Sequence, residues 1–127
     1  MPRPINVYIH TRAVQHNLEV IRQRASGSRV WAVVKANAYG HGIENIYPAL
    51  DAADGIALLD LDEAVRVRQL GWNKPIRLLE GIFTLSDVKR VEESGLPVAL
   101  HSDEQRELIS AAKPRTPIRR LILKRCF

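Results

Sequence analysis

Lys35 closes an apolar run, Val30 to Val34, and opens a small, polar, glycine-punctuated stretch containing Asn37, Tyr39, Gly40, His41 and Gly42. The run reads as a buried strand of a mostly parallel sheet. In such α/β folds, ligands bind where strands end and loops begin. A lysine in that position loses part of its hydration, which disfavours the ammonium and leaves more free amine. A free amine can form a Schiff base with an aldehyde. The same side chain can equally snorkel from the strand end into water or pair with a nearby acid. Residue type and place leave both readings open.

Other candidates are less specific. His41 is of the residue type whose reference pKa is near neutrality, and it suits acid–base work or a structural turn. His101 and Glu80 end later apolar runs and face the same mouth, where either can line the site or satisfy a loop hydrogen bond, the latter being preferred. His10, His16, His41 and His101 show no HExxH-like spacing, so no zinc site is expected. Cys126 is the lone cysteine, which excludes an internal disulfide and a cysteine-based zinc site. Neither GxGxxG nor GxxxxGK[ST] occurs, which removes the usual nucleotide fingerprints.

The elements that must position Lys35 follow a regular rhythm. Apolar runs begin near residues 30, 55, 76, 98 and 118, each separated from the next by one helical pattern. Val14, Leu18, Ile21 and Ala25 mark the stripe of a first helix that Thr11 can cap and Ser26–Gly27 stops. Ile43, Ile46, Tyr47 and Leu50 mark a second, in which Pro48 requires a short or kinked helix. Asp60 or Asp62 caps a third, with Leu61, Ala64, Val65 and Arg68 at helical spacing. Leu85, Val88 and Val91 lie on a fourth that Gly95 closes. Ser102 or Asp103 caps a fifth carrying Leu108, Ile109 and Ala112. Ile5, Val7 and Ile9 alternate with polar residues before all of these, as in an N-terminal edge strand.

Repeated β-α units predict a parallel sheet, either a TIM-type barrel or a doubly wound sheet. The 127 residues supply five of the eight strands that a barrel needs. The last strand is followed by no helix, so another chain covering this edge or a fragment is expected, and a fragment is preferred. A net charge of +5 favours an anionic ligand. No aromatic platform interleaves with a basic stripe, so nucleic acid is not the expected partner. MPRPINVYIH lacks a signal-peptide core, and no run is long enough to span a bilayer, so a cytoplasmic location without membrane contact is expected.

AVVKANAYGHG closely resembles the cofactor-lysine motif of the bacterial alanine racemases. The likeness continues through LDLDEAVRVRQLGWNKPIRLLEG at 59–81 and Val98 to Ser102. It implies a pyridoxal-phosphate-dependent isomerase that interconverts L-alanine and D-alanine. It also implies an N-terminal (β/α)8 barrel, a C-terminal β domain and a head-to-tail homodimer. By this likeness Lys35 binds the cofactor and acts as base on one face of the substrate α-carbon, and Tyr39 helps hold the phosphate. The opposite face is served in the family by a tyrosine of the partner subunit's C-terminal domain, which nothing here matches. Lys124 matches a lysine that the family carries carbamylated.

The expected organisation is therefore an N-terminal strand over 1–10 that packs toward the C-terminal domain, and an incomplete barrel over 11–127, with the β domain absent. After Leu123 and Lys124 the sequence leaves the family pattern, as a frameshift or premature stop would produce. Independent catalysis is not expected of such a chain. The alternatives are a non-catalytic pyridoxal-phosphate-binding barrel module and a non-functional fragment. Uncovered strand faces predict self-association or aggregation.

Overall fold

A computed structural model describes residue 1, residues 3–118 and, for the backbone, Leu121–Leu123. The five expected strands are present: β1 (Trp31–Val33), β2 (Gly55–Leu58), β3 (Ile76–Leu78), β4 (Val98–Leu100) and β5 (Leu121–Leu123). They pair in parallel in the order β1-β2-β3-β4-β5. A doubly wound sheet reverses its strand order at a switch point. Here each strand adds beside its predecessor without reversal, which is the arrangement of a barrel wall. The protein is α/β, with part of a TIM-type barrel.

The register sorts side chains onto two faces. Ile56 pairs with Ile76, Leu58 with Leu78 and Leu78 with Val98. These residues join one core with Leu18 of α1 (Thr11–Arg24), Ala64 and Val67 of α4 (Leu61–Gln69), and Val88 and Val91 of α5 (Leu85–Ser94). The other face carries Trp31, Gly55, Ala57 and Arg77. There the Arg77 guanidinium stacks 4.4 Å above the Trp31 ring. Gly55 lies beneath that ring: a Cβ at this position would stand 2.7 Å from it. The helix-side face is the main core, and the opposite face is the wall of the barrel interior.

Local signals explain most element ends. The Asp60 carboxylate accepts the Asp62 and Glu63 amides, starting α4. Thr84 and Asp87 form a reciprocal capping box at α5. The Ser102 hydroxyl accepts the Gln105 amide at the start of α6 (Asp103–Ala112). Gly95 ends α5 in the left-handed conformation. Pro48 is accommodated because the helical path changes: α3 (Ile43–Ile46) gives way to a 3-10 helix, Tyr47–Leu50, with the proline near its start.

Three expectations are corrected. Residues 3–10 form no strand, and Ile5 is 86% exposed. Alternation prepares a chain for a ladder but does not supply the neighbour, and no described strand pairs with this segment. Thr11 is the first residue of α1 rather than its cap; His10 holds the cap position without a side-chain hydrogen bond. On α4 the buried stripe is Leu61, Ala64 and Val67, whereas Val65 and Arg68 face outward. In a nine-residue helix, three- and four-residue steps both look periodic, and packing on the sheet selects the phase.

Candidate active site

The loops after β1 to β4 bring Lys35, Asp60, Glu80 and His101 to the C-terminal end of the sheet. The Val34 amide still donates to Ala57 O at 2.9 Å, so the ladder holds the chain up to the residue before Lys35. Lys35 is half-buried. Among the described residues no carboxylate pairs with it. The ion-pair alternative for this lysine therefore has no partner there.

The next four residues take an uncommon path. Ala36, Asn37, Ala38 and Tyr39 all have φ between +52° and +55°. Together with Lys35 they form one helical segment, α2 (Lys35–Tyr39), whose backbone is left-handed from Ala36 onward. Each such non-glycine residue costs about 1–2 kcal/mol, because Cβ crowds the following carbonyl. The surrounding bonds offset that cost. Ala38 N donates to Val34 O and Gly40 N to Ala36 O, both at 3.0 Å. Gly40, at φ +83°, then releases the chain with no Cβ to clash.

Asn37 is the hub of this turn. Its carbonyl accepts the Gly42 amide at 3.0 Å, and its side-chain Oδ1 accepts the Ile43 amide at 3.0 Å. Its own amide donates to the Glu63 carboxylate at 2.6 Å. His41 is tied in as well, its Nδ1 lying 2.8 Å from Ala38 O, so that nitrogen carries the proton it donates. Asn45 Nδ2 donates to His41 O. These bonds give His41 a structural role in the turn. Tyr39, 58% exposed, has its ring free of the core.

A second strut crosses the mouth. Gln105 is buried; its Oε1 accepts the His101 amide at 3.1 Å and its Nε2 donates to Glu80 O at 2.7 Å. The backbone groups of Glu80 and His101 are thus joined through Gln105, while both side chains are exposed. Sequence reasoning missed Glu63 and Gln105. Each stands three residues after a helix cap, where the local pattern suggests nothing beyond capping. Lys124 and Cys126 lie outside the described residues.

Residues 9–124 match the family model described as "Alanine racemase, N-terminal domain". The chain belongs to the alanine racemase family. It is 54% identical over 118 residues to the alanine racemase of Cupriavidus metallidurans, covering 93% of this chain and 32% of that protein. Against the Burkholderia mallei alanine racemase the identity is 50%, with 93% and 33% covered. The chain thus spans about a third of the length of these curated relatives. Among solved structures, the biosynthetic alanine racemase of Pseudomonas aeruginosa superposes with a TM-score of 0.73 at 36% identity, over 87% of this chain and 31% of that one. The histidine racemase of Leuconostoc mesenteroides superposes equally well, TM-score 0.73 at 26% identity, over 90% and 34%. This alanine racemase segment therefore shares its fold with a relative named for another amino acid.

The side chains present suit an aldehyde cofactor. A half-buried amine without an acidic partner among the described residues stands at the strand end. Among the same residues no group of three or more His, Cys, Asp or Glu side chains is placed to hold a metal ion. No described helix is long and apolar enough to cross a membrane.

Proposed function

We propose that this chain carries the cofactor-lysine part of an alanine racemase site, with Lys35 binding pyridoxal phosphate and Tyr39 contributing to its phosphate. The observation that carries the reading is the position of Lys35 at the end of β1, unpaired by acid among the described residues, in an alanine racemase chain. When bound, pyridoxal phosphate draws electrons from the substrate α-carbon and so acidifies its proton. With the cofactor held there, Lys35 Nζ would take that proton on one face. Racemisation also requires a proton donor on the opposite face, which in the whole protein we assign to the partner subunit of a homodimer. Alanine is the proposed substrate, in keeping with the names of the most similar curated relatives.

The N-terminal segment 1–10 and the barrel segment 11–127 are proposed as separate units of that architecture. For the isolated chain we propose self-association and little or no turnover. Among the described residues the sheet ends at β1 on one side and β5 on the other, and Val33 is 43% exposed on the interior face.

The test is incubation with pyridoxal phosphate, borohydride reduction and peptide mass mapping. A pyridoxyl group fixed selectively on Lys35 supports the reading. Labelling spread evenly over surface lysines refutes it.

A further inference from the structure

We propose that Glu63 is a positioning residue for Lys35: its carboxylate holds the left-handed turn that follows the lysine and thereby aims the amine into the mouth. The proposal rests on the reading that Lys35 binds the cofactor.

Glu63 lies in the first turn of α4, three residues after the cap Asp60. A side chain at this position ordinarily folds back onto the amide of its own cap, as Asp87 does toward Thr84. Glu63 instead crosses to the preceding β-α loop and accepts the Asn37 amide at 2.6 Å, a separation of 26 residues in sequence. The cap is not sacrificed, because the Asp60 carboxylate already takes the Asp62 and Glu63 amides at 2.6 and 3.2 Å. Glu63 is thus released for a different task. Its acceptor atom is charged, and a bond of that kind is roughly twice as strong as a neutral one.

The place where it acts matters. Asn37 is two residues from Lys35, and its carbonyl and side chain fasten the turn to Gly42 and Ile43. Those contacts anchor the downstream end of the segment. The Asn37 amide ties the turn by a hydrogen bond to another part of the barrel wall, namely the start of α4, whose strand β2 is the neighbour of β1. Without this tie the four-residue left-handed stretch has a nearby alternative, the right-handed conformation that its Ala, Asn and Tyr residues prefer. That change would swing the backbone immediately after Lys35 and redirect its side chain.

Glu63→Gln keeps an acceptor but removes its charge, and Glu63→Ala removes both. In the full 127-residue chain without cofactor, Asn37 amide exchange should rise by a few-fold in the first variant and about tenfold in the second. Selective reduction of pyridoxal phosphate onto Lys35 should fall in the same order, while modification of surface lysines stays constant. The graded response, with partial retention by Gln, is what a merely structural residue would not give. Unchanged Asn37 exchange in both variants overturns the proposal. So does faster exchange with undiminished Lys35 selectivity, since the turn would then not aim the lysine. If the unsubstituted chain shows no Lys35 selectivity, the cofactor reading fails and the positioning role falls with it; the exchange arm still reports separately whether Glu63 ties the turn. Should Glu63→Ala fail to fold, the Gln variant decides.

Discussion

Replacing Ala36 with glycine should stabilise the protein, although alanine-to-glycine changes in helical segments ordinarily destabilise it. Ala36 is exposed and sits at φ +52°, ψ +51°, so the substitution removes a methyl group that packs little and crowds its own backbone. Relief of the left-handed conformation is worth about 1–2 kcal/mol. The additional freedom glycine brings to the unfolded chain takes back about 0.4–1 kcal/mol. The difference is a net gain of roughly 0–1.6 kcal/mol. Ala13→Gly supplies the matched control, because Ala13 is exposed in right-handed α1 and the same chemical change there should cost up to about 1 kcal/mol. The assay is urea unfolding of both variants at matched protein concentration, so that any association affects them equally. Opposite signs are expected, with little change in slope. A loss of 0.5 kcal/mol or more at Ala36 would refute the left-handed turn (the order of the ordinary helical penalty).

The remaining predictions concern the wall, the mouth and the carboxylates. Val67→Ala should cost about 2 kcal/mol through lost burial and a residual cavity, whereas Val65→Ala, one turn face away, should be near neutral in the same unfolding assay. Gly81→Ala should destabilise by about 2 kcal/mol or more, because Gly81 has φ +89° and a Cβ there would stand 2.4 Å from Ala99 O and 2.7 Å from Gln105 Nε2. The Asp54 carboxyl is held below its ordinary range by the Val30 amide; burial opposes this, and the charge and hydrogen bond of Arg22, with the charge of Arg29, reinforce it. Its folded form therefore binds its proton less readily than its unfolded form. The stability it contributes is complete above the ordinary aspartate range, near pH 4, and is lost as pH falls through the lowered folded value. Thermal melts taken downward from pH 5 should decline less steeply in Asp54→Asn than in the unsubstituted chain. Equal slopes would remove Asp54 from the account.

Much of the barrel wall was legible because its causes are local. Five apolar runs divided by amphipathic patterns announce β-α units, and Asp60, Ser102 and Gly95 mark helix ends through side chains or backbone freedom that act within a few residues. Strand order was not local, and the sequence left a doubly wound sheet open until the register placed each strand beside the one before. The N-terminal segment failed for the opposite reason: Ile5, Val7 and Ile9 have the alternation of a strand, but a strand also requires a neighbour. Lys35 was legible as a strand-end amine, and the long motif around it is what suggests the cofactor role proposed above. The device that sets the lysine's direction was not legible. Nothing in Ala36, Asn37, Ala38 and Tyr39 announces four left-handed residues in a row, and asparagine alone among them tolerates that conformation readily.

Glu63 and Gln105 show why such features escape a reading along the chain. Each occupies the third position of a helix, where its local meaning is to close a cap, yet each reaches across to another loop at the mouth. One ties the Lys35 turn to α4, and the other ties the end of β3 to the loop after β4. The same position of α5 is occupied by Asp87, which does close its own cap. The difference follows from reach as well as from local need. Glutamate and glutamine are one methylene longer than aspartate, and Asp60 and Ser102 already receive amides from the first turns of α4 and α6. Longer side chains beside independently capped helix starts can therefore join neighbouring loops, so the barrel builds the rigidity of its mouth from residues whose sequence signature is that of ordinary helix starts.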